Sequence, residues 1–219
     1  MRQDATLAEL AVTEPGAARV FYRNGLDFCC GGRAPLNEVC QRRGLDVDAL
    51  VAQIEAEGAA APAGPRWDQR PLSELVFFIV DHYHQRLRAG FPDLIAMAEK
   101  VERRHGEKAT CPVGLAAHLH RMHADVLDHL VKEEGVLFPM ILAGRGRGAA
   151  GPVQVMETEH ADHKKNLETL RALTGEYQPP PEACVTWRAL YLGLQQLEQE
   201  LMEHIHLENT VLFQRALAE

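Results

Sequence analysis

His129 with Glu133 and His204 with Glu208 form two His-x-x-x-Glu pairs in separate long apolar-periodic stretches, and lone histidines, His84 and His160, sit in two more. A spacing of four returns to the same face of an α-helix one turn later, so each pair can aim an imidazole and a carboxylate at one point. A single such pair is what a helix surface rich in Glu and His produces by chance. Two pairs and two lone histidines, one set for each predicted helix, point instead to a buried di-metal site. Imidazoles and carboxylates are borderline and hard ligands, and the absence of cysteine from the set argues against a zinc thiolate site. Iron or manganese fits better, and histidine richness favours iron. A carboxylate can bridge two ions about 3.5 to 4 Å apart, and Glu133 and Glu208 are expected on facing helices. Six protein ligands cannot saturate two six-coordinate ions even when both carboxylates bridge. Open positions remain for a small molecule.

Four long helices must position these residues. After Pro71, apolar residues recur at helical spacing for about eight turns, with Gly90 and Pro92 expected to kink or break the run. A second stretch covers about 112 to 142 and ends at the glycine-rich GRGRGAAG. A third covers about 152 to 174, and a fourth follows the prolines 179 to 181 and reaches about 218. Short connections imply an up-down-up-down bundle. Antiparallel neighbours must bring ligands to similar heights. From His84 to the end of the first helix is about 20 residues, against about 17 from the start of the second to His129, a mismatch of about 5 Å. The last pair matches well only if the fourth helix begins late, near Val185.

Residues 57 to 66, EGAAAPAGPR, lack periodicity and read as a linker. Before them lie short amphipathic pieces at about 6 to 12, 15 to 23, 35 to 43 and 46 to 56, each too short to be stable alone. The chain is therefore expected to be all-α: a small helical domain over 1–57, a linker over 58–66, and a four-helix bundle over 67–219.

The 219 residues carry a net charge of -8 without a basic stripe, which gives nucleic-acid binding little electrostatic support. No apolar run approaches the roughly 18 residues that cross a bilayer. The first residues lack a basic start and a continuous apolar core, so a cytoplasmic, reducing location is expected. Five cysteines spread over a chain of this length argue against a secreted disulfide framework.

Cys29 and Cys30 are adjacent, with Cα atoms about 3.8 Å apart, closer than a disulfide usually allows. Gly31 and Gly32 leave the backbone open and Phe28 can anchor the turn, a context suited to exposed thiols that engage iron or a partner. A turn that merely buries two small residues is the alternative. Cys40, Cys111 and Cys184 are isolated and read as ordinary helix or turn residues. Asp81, three residues before His84, and Asp125, one turn before His129, could accept the second ring N–H of a ligand histidine. Glu159 precedes His160 by one position, about 100° away, which disfavours coordination and suits the lining of an access route. His105 lies about 31 Å along the helix from His84, too far to share its centre.

Several segments together resemble the hemerythrin-like di-iron proteins of the repair-of-iron-centres type: DFCCGG around Cys29, HYH at 82–84, DHLVKEEGVLFPMI from Asp128, VMETEH ending at His160, PPPEACVTW from Pro179, and MEHIHLENTVLF from Met202. The resemblance implies a hemerythrin-like bundle holding two iron ions, carboxylate-bridged and oxo-bridged. His84, His129, His160 and His204 would be terminal ligands and Glu133 and Glu208 bridges. It implies support for the repair of iron-sulfur clusters after nitrosative or oxidative damage. The route would be donation of iron to damaged iron-sulfur proteins, redox processing of nitric oxide, or both. Hemerythrins proper, which carry oxygen, share the bundle but not the cysteine domain, and offer a fifth histidine that His163 could supply here. Reversible binding or sensing of oxygen or nitric oxide is thus the competing function, and a purely structural metal site a third.

Overall fold

The computed structural model describes residues 2–29, 31–60 and 65–219. Among them the chain is all-α, with one isolated bridge between Thr6 and Pro35. Contacts gather it into two compact units, Met1–Val76 with Met202–Glu219, and Phe77–Leu201.

The first unit is built from α1 (Leu7–Thr13), α2 (Ala17–Arg23), α3 (Leu36–Arg43) and α4 (Val47–Ala60). Thr6 starts α1 through a capping box: its hydroxyl accepts from Glu9 N–H at 3.2 Å, and its own N–H donates to the Glu9 carboxylate at 2.9 Å. Three of these helices have at most eight residues, so their stability comes from packing. Leu7, Leu10, Phe21, Leu36, Leu50 and Ile54 form the core, and Met202 packs against it. The first three residues of the expected linker, 58–60, are helical, and residues 61–64 lie outside the described residues. Gly58 is a contact residue. A Cβ there would stand 2.7 Å from the Pro15 carbonyl oxygen. Glu57 beside it pairs with Arg19 at 2.9 Å and Arg23 at 2.6 Å, fixing the end of α4 on α2.

Gly16 meets the same junction with φ +86, where a Cβ would lie 2.7 Å from Glu57 Cγ. Gly25 has φ +63 but nothing within 4 Å. Gly16→Ala adds a clash to the left-handed backbone penalty, whereas Gly25→Ala adds the penalty alone. Urea melting should therefore show a loss of about 1 kcal/mol for Gly25→Ala and a clearly larger one for Gly16→Ala. Equal losses would mean that the α2–α4 junction yields freely.

The long helical stretches follow: α5 (Leu72–Phe78) runs into α6 (Gln85–His105), α7 (Leu115–Lys132) into α8 (Phe138–Leu142), α9 (Ala150–Thr174) stands alone, and α10 (Val185–Leu207) runs into α11 (Phe213–Ala218). Within the second unit α6 packs on α7 and α7 on α9. Arg171 of α9 bonds Glu198 of α10 at 2.7 Å. Leu94 of α6 presses against Gly193 of α10, where a Cβ would meet it at 2.7 Å. Each helix neighbours the next and the fourth neighbours the first, which is a four-helix bundle. Gly175, at φ +56, ends α9 in a left-handed cap, and α10 begins at Val185, the late start that the height comparison requires.

Helix α6 does not break at Gly90 and Pro92. It runs unbroken from Gln85 to His105. A proline inside a helix costs about 3 kcal/mol, but Leu87, Phe91, Leu94 and Ile95 are all buried on this segment. At about 1.5–3 kcal/mol for each large apolar side chain, burial outweighs the missing hydrogen bond.

Candidate metal centre

The long stretches contain wider, π-helical turns at Ile79–His84, Glu133–Leu137 and Glu208–Leu212. Each is closed by a bond from i to i−5: Gln85 N–H to Val80, Phe138 N–H to Glu133, and Phe213 N–H to Glu208. Three of the six ligand candidates, His84, Glu133 and Glu208, belong to these turns. π-Turns inside α-helices are uncommon and concentrate at functional sites. The sequence shows a cause for one, since Pro139 has no N–H to give to Gly135.

Inside the second unit, His84, His129, Glu133 and His160 are between 0 and 2% exposed. His129 Nε2 lies 3.3 Å from Glu133 Oε1, and His84 Nε2 lies 3.4 Å from Glu133 Oε2. The carboxylate thus offers one oxygen towards each imidazole. His160 Nε2 stands 3.1 Å from His129 Nε2. In the first unit, His204 Nε2 lies 3.0 Å from Glu208 Oε1, and both residues are fully buried.

The far side of two imidazoles fixes what these nitrogens can do. His84 Nδ1 lies 2.6 Å from a Glu134 carboxylate oxygen, and His129 Nδ1 lies 2.9 Å from Glu159. Burial raises the Glu134 carboxyl, but hydrogen bonds from His84 and Arg88 outweigh it and hold the group below its ordinary value. Glu159 is likewise raised by burial and brought below its ordinary value by Lys132 and His129. Ionised carboxylates only accept, so the proton of each imidazole sits on Nδ1 and the Nε2 lone pair is left facing Glu133. Arg88 pairs with Glu134 at 2.9 Å and Lys132 with Glu159 at 2.5 Å, which keeps both acceptors charged. Lone pairs and a buried carboxylate gathered at one point are costly to bury without a cation. Nitrogen and oxygen donors of this kind suit iron, and the residues fit the metal that the bundle implies.

The same arrangement has relatives. Residues 76–216 match the hemerythrin HHE cation binding domain. The chain is 47% identical over 215 residues to the iron-sulfur cluster repair proteins YtfE of Yersinia pseudotuberculosis serotype IB (strain PB1/+) and Musicola paradisiaca (strain Ech703), covering 98% of this chain and 97% of each relative. The YtfE protein of Dickeya chrysanthemi (strain Ech1591) is 46% identical over the same span. The chain belongs to the hemerythrin-like iron-sulfur cluster repair family. The small helices match a second family model, a domain of unknown function, over residues 3–57.

Within this hemerythrin-like chain the acceptors differ from those expected. Asp81 is exposed, and Asp125 takes a long bond from Asn166 at 3.4 Å. Neither holds a ligand histidine. Asp81 fails because the wider turn at Ile79–His84 no longer returns to one face after three residues. Glu159 takes the place foreseen for Asp125, reaching His129 from the neighbouring helix. Glu134 carries no signal beyond its being the second of the Glu133-Glu134 doublet. His163 is buried, its ring edge-on to His129 with centroids 4.9 Å apart. Cys29 is buried, not exposed: its thiol lies 3.4 Å from Asp27 Oδ1. Its neighbours Gly31 and Gly32 are glycine because a Cβ would stand 2.8 Å from Asp27 Oδ2 and 2.3 Å from Phe28 O respectively. The loop is folded tightly on itself. Cys30 lies outside the described residues.

Glu134→Ala and Glu159→Ala each remove the Nδ1 partner of a candidate ligand histidine. Each is expected to weaken iron binding about 10- to 100-fold in chelator competition, with helix content unchanged. Undiminished affinity in both variants would show that the Nδ1 partners do not orient the ligands.

Proposed function

We propose that this chain is a di-iron protein that supports the repair of iron-sulfur clusters damaged by nitrosative or oxidative stress. His84, His129, His160 and His204 would hold the two irons as terminal ligands, with Glu133 and Glu208 shared between the two metal sets as bridges. An oxo bridge would complete the pair. The observation that carries this reading is the contact of His84 Nδ1 with Glu134 and of His129 Nδ1 with Glu159, which leaves both Nε2 atoms towards the two oxygens of one buried carboxylate. The relatives' name, iron-sulfur cluster repair protein, supports the cellular role.

In this reading the iron pair supplies exchangeable metal and redox chemistry when bound. The chain's own residues do the rest. Glu134 and Glu159 hold the imidazole protons away from the centre, and the apolar bundle limits water. Residues 67–219 form the metal-bearing domain and residues 1–57 the thiol-bearing one, joined through 58–66. The partners are damaged iron-sulfur proteins, with nitric oxide or oxygen as the small ligand. No described helix is long and apolar enough to cross a membrane; a cytoplasmic location is part of this proposal.

A second reading, a hemerythrin-like reversible binder or sensor of oxygen or nitric oxide, draws on His163, buried against His129. Anaerobic incubation of iron-loaded protein with an apo-cluster enzyme, scored beside nitric oxide consumption, separates the two. Repair should return activity to the acceptor as iron leaves the protein. Reversible gas binding without acceptor recovery would replace the repair reading with the carrier one.

A further inference from the structure

At the end of α6 in the second unit stands a thiol with a base beside it. Cys184 Sγ lies 3.4 Å from His105 Nε2. His105 is the last residue of the 21-residue α6, and Cys184 immediately precedes the 23-residue α10. The Cys184 carbonyl accepts from Arg188 N–H at 3.0 Å, so Cys184 is the capping residue of α10. A helix C-terminus favours a cation and a helix N-terminus an anion. Trp187, fully buried, packs on His105 with ring centroids 5.4 Å apart and holds the ring in place. Cys184 itself is only half-buried, whereas Cys40 and Cys111 are buried. The segment is held from outside as well: Glu182 accepts from Thr110 at 2.7 Å, and Arg188 donates to the carbonyls of Ala183 and Pro181 at 3.1 and 2.9 Å.

We propose that Cys184, with His105 as its proton acceptor, is a reactive thiol that forms a mixed disulfide with small-molecule disulfides. The thiol proton passes to His105 Nε2. The Cys184 thiolate attacks one sulfur of the disulfide, a new S–S bond forms as the old one breaks, and the departing thiolate takes the proton from His105. The Cys184 sulfur gives the electron pair of the new bond and the departing sulfur keeps the pair of the broken one, so no outside oxidant or reductant is needed. Two other described cysteines differ. Cys40 and Cys111 are buried, and burial pushes both thiols up. This assignment is independent of the metal reading.

The test uses the full-length iron-loaded protein and oxidised glutathione, with modification followed at each cysteine by peptide mass spectrometry. Cys184 should gain glutathione about tenfold or more faster than Cys40 and Cys111. His105→Gln should slow Cys184 alone, and imidazole added to His105→Ala should restore part of the rate, which a purely structural role for His105 would not allow. Iron content should stay at the parent value throughout. Equal rates for Cys184, Cys40 and Cys111 in the unsubstituted protein would overturn the proposal, whether or not the variants fold. A parent rate in His105→Gln, or no recovery with imidazole, would remove His105 from it.

Discussion

Glu133→Ala should bring the iron content of protein made under iron-replete conditions from two per chain to below one. In the proposed centre Glu133 belongs to both metal sets, and its two oxygens face different imidazoles at 3.3 and 3.4 Å. Its loss removes a ligand from each iron and the charge that holds the pair together. Glu208→Ala should behave alike, whereas His105→Gln should retain both irons. The loss should also appear as stability. A ligand present at 1,000 times its dissociation constant adds about 4 kcal/mol to the folded state. At about 2–4 °C for each kcal/mol in a chain of this size, stripping the metal should lower Tm by about 10 °C. Metal analysis and thermal melts check both numbers. Two irons retained in Glu133→Ala would end the bridging assignment, and one zinc with no iron in the parent protein would end the di-iron one.

The second large effect concerns metal use, not metal binding. Changing Cys29 and Cys30 together to Ser should leave iron at two per chain, because none of the six proposed ligands is among residues 1–57. Delivery of iron to an apo-cluster acceptor should fall to near the rate given by free iron at the same concentration. Thiolates can accept and pass iron, while the bundle's imidazoles and carboxylates are committed to holding it. The burial of Cys29 and its contact with Asp27 sharpen the expectation, since a buried thiol must be uncovered before it can act. Parent repair rates in the double variant would make the thiols structural.

The elements of the bundle were legible because apolar residues recur at helical period for many turns. The two His-x-x-x-Glu contacts, His129 with Glu133 and His204 with Glu208, were legible because a spacing of four fixes a face. The π-turns were not, since their i to i−5 bonds depend on neighbours in three dimensions, and only Pro139 left a local trace. The roles of Glu134 and Glu159 depend on which helix lies beside which, and charged residues near His84 and His129 in sequence were the wrong guide. Gly90 and Pro92 misled for a related reason: local propensity disfavours the helix there, and the burial that restores it belongs to the tertiary fold. Cys184 and His105 are 79 positions apart, so no local pattern joins them.

The first compact unit is made of chain segments far apart in order, 1–76 and Met202–Glu219. Phe28 O accepts from His206 Nδ1 at 3.2 Å, and Met202 lies on the core of α1 to α4. During synthesis the ribosome must therefore add about 126 residues after residue 76 before this unit can close. At 5–20 residues per second that takes roughly 6 to 25 s. For that interval the thiol loop lacks the surroundings of the finished protein, and nascent chains stalled at residue 201 should show the loop open to protease and to thiol reagents. Newly made molecules are thus the population most exposed to oxidative damage at Cys29, and the period of vulnerability is set by the rate of translation.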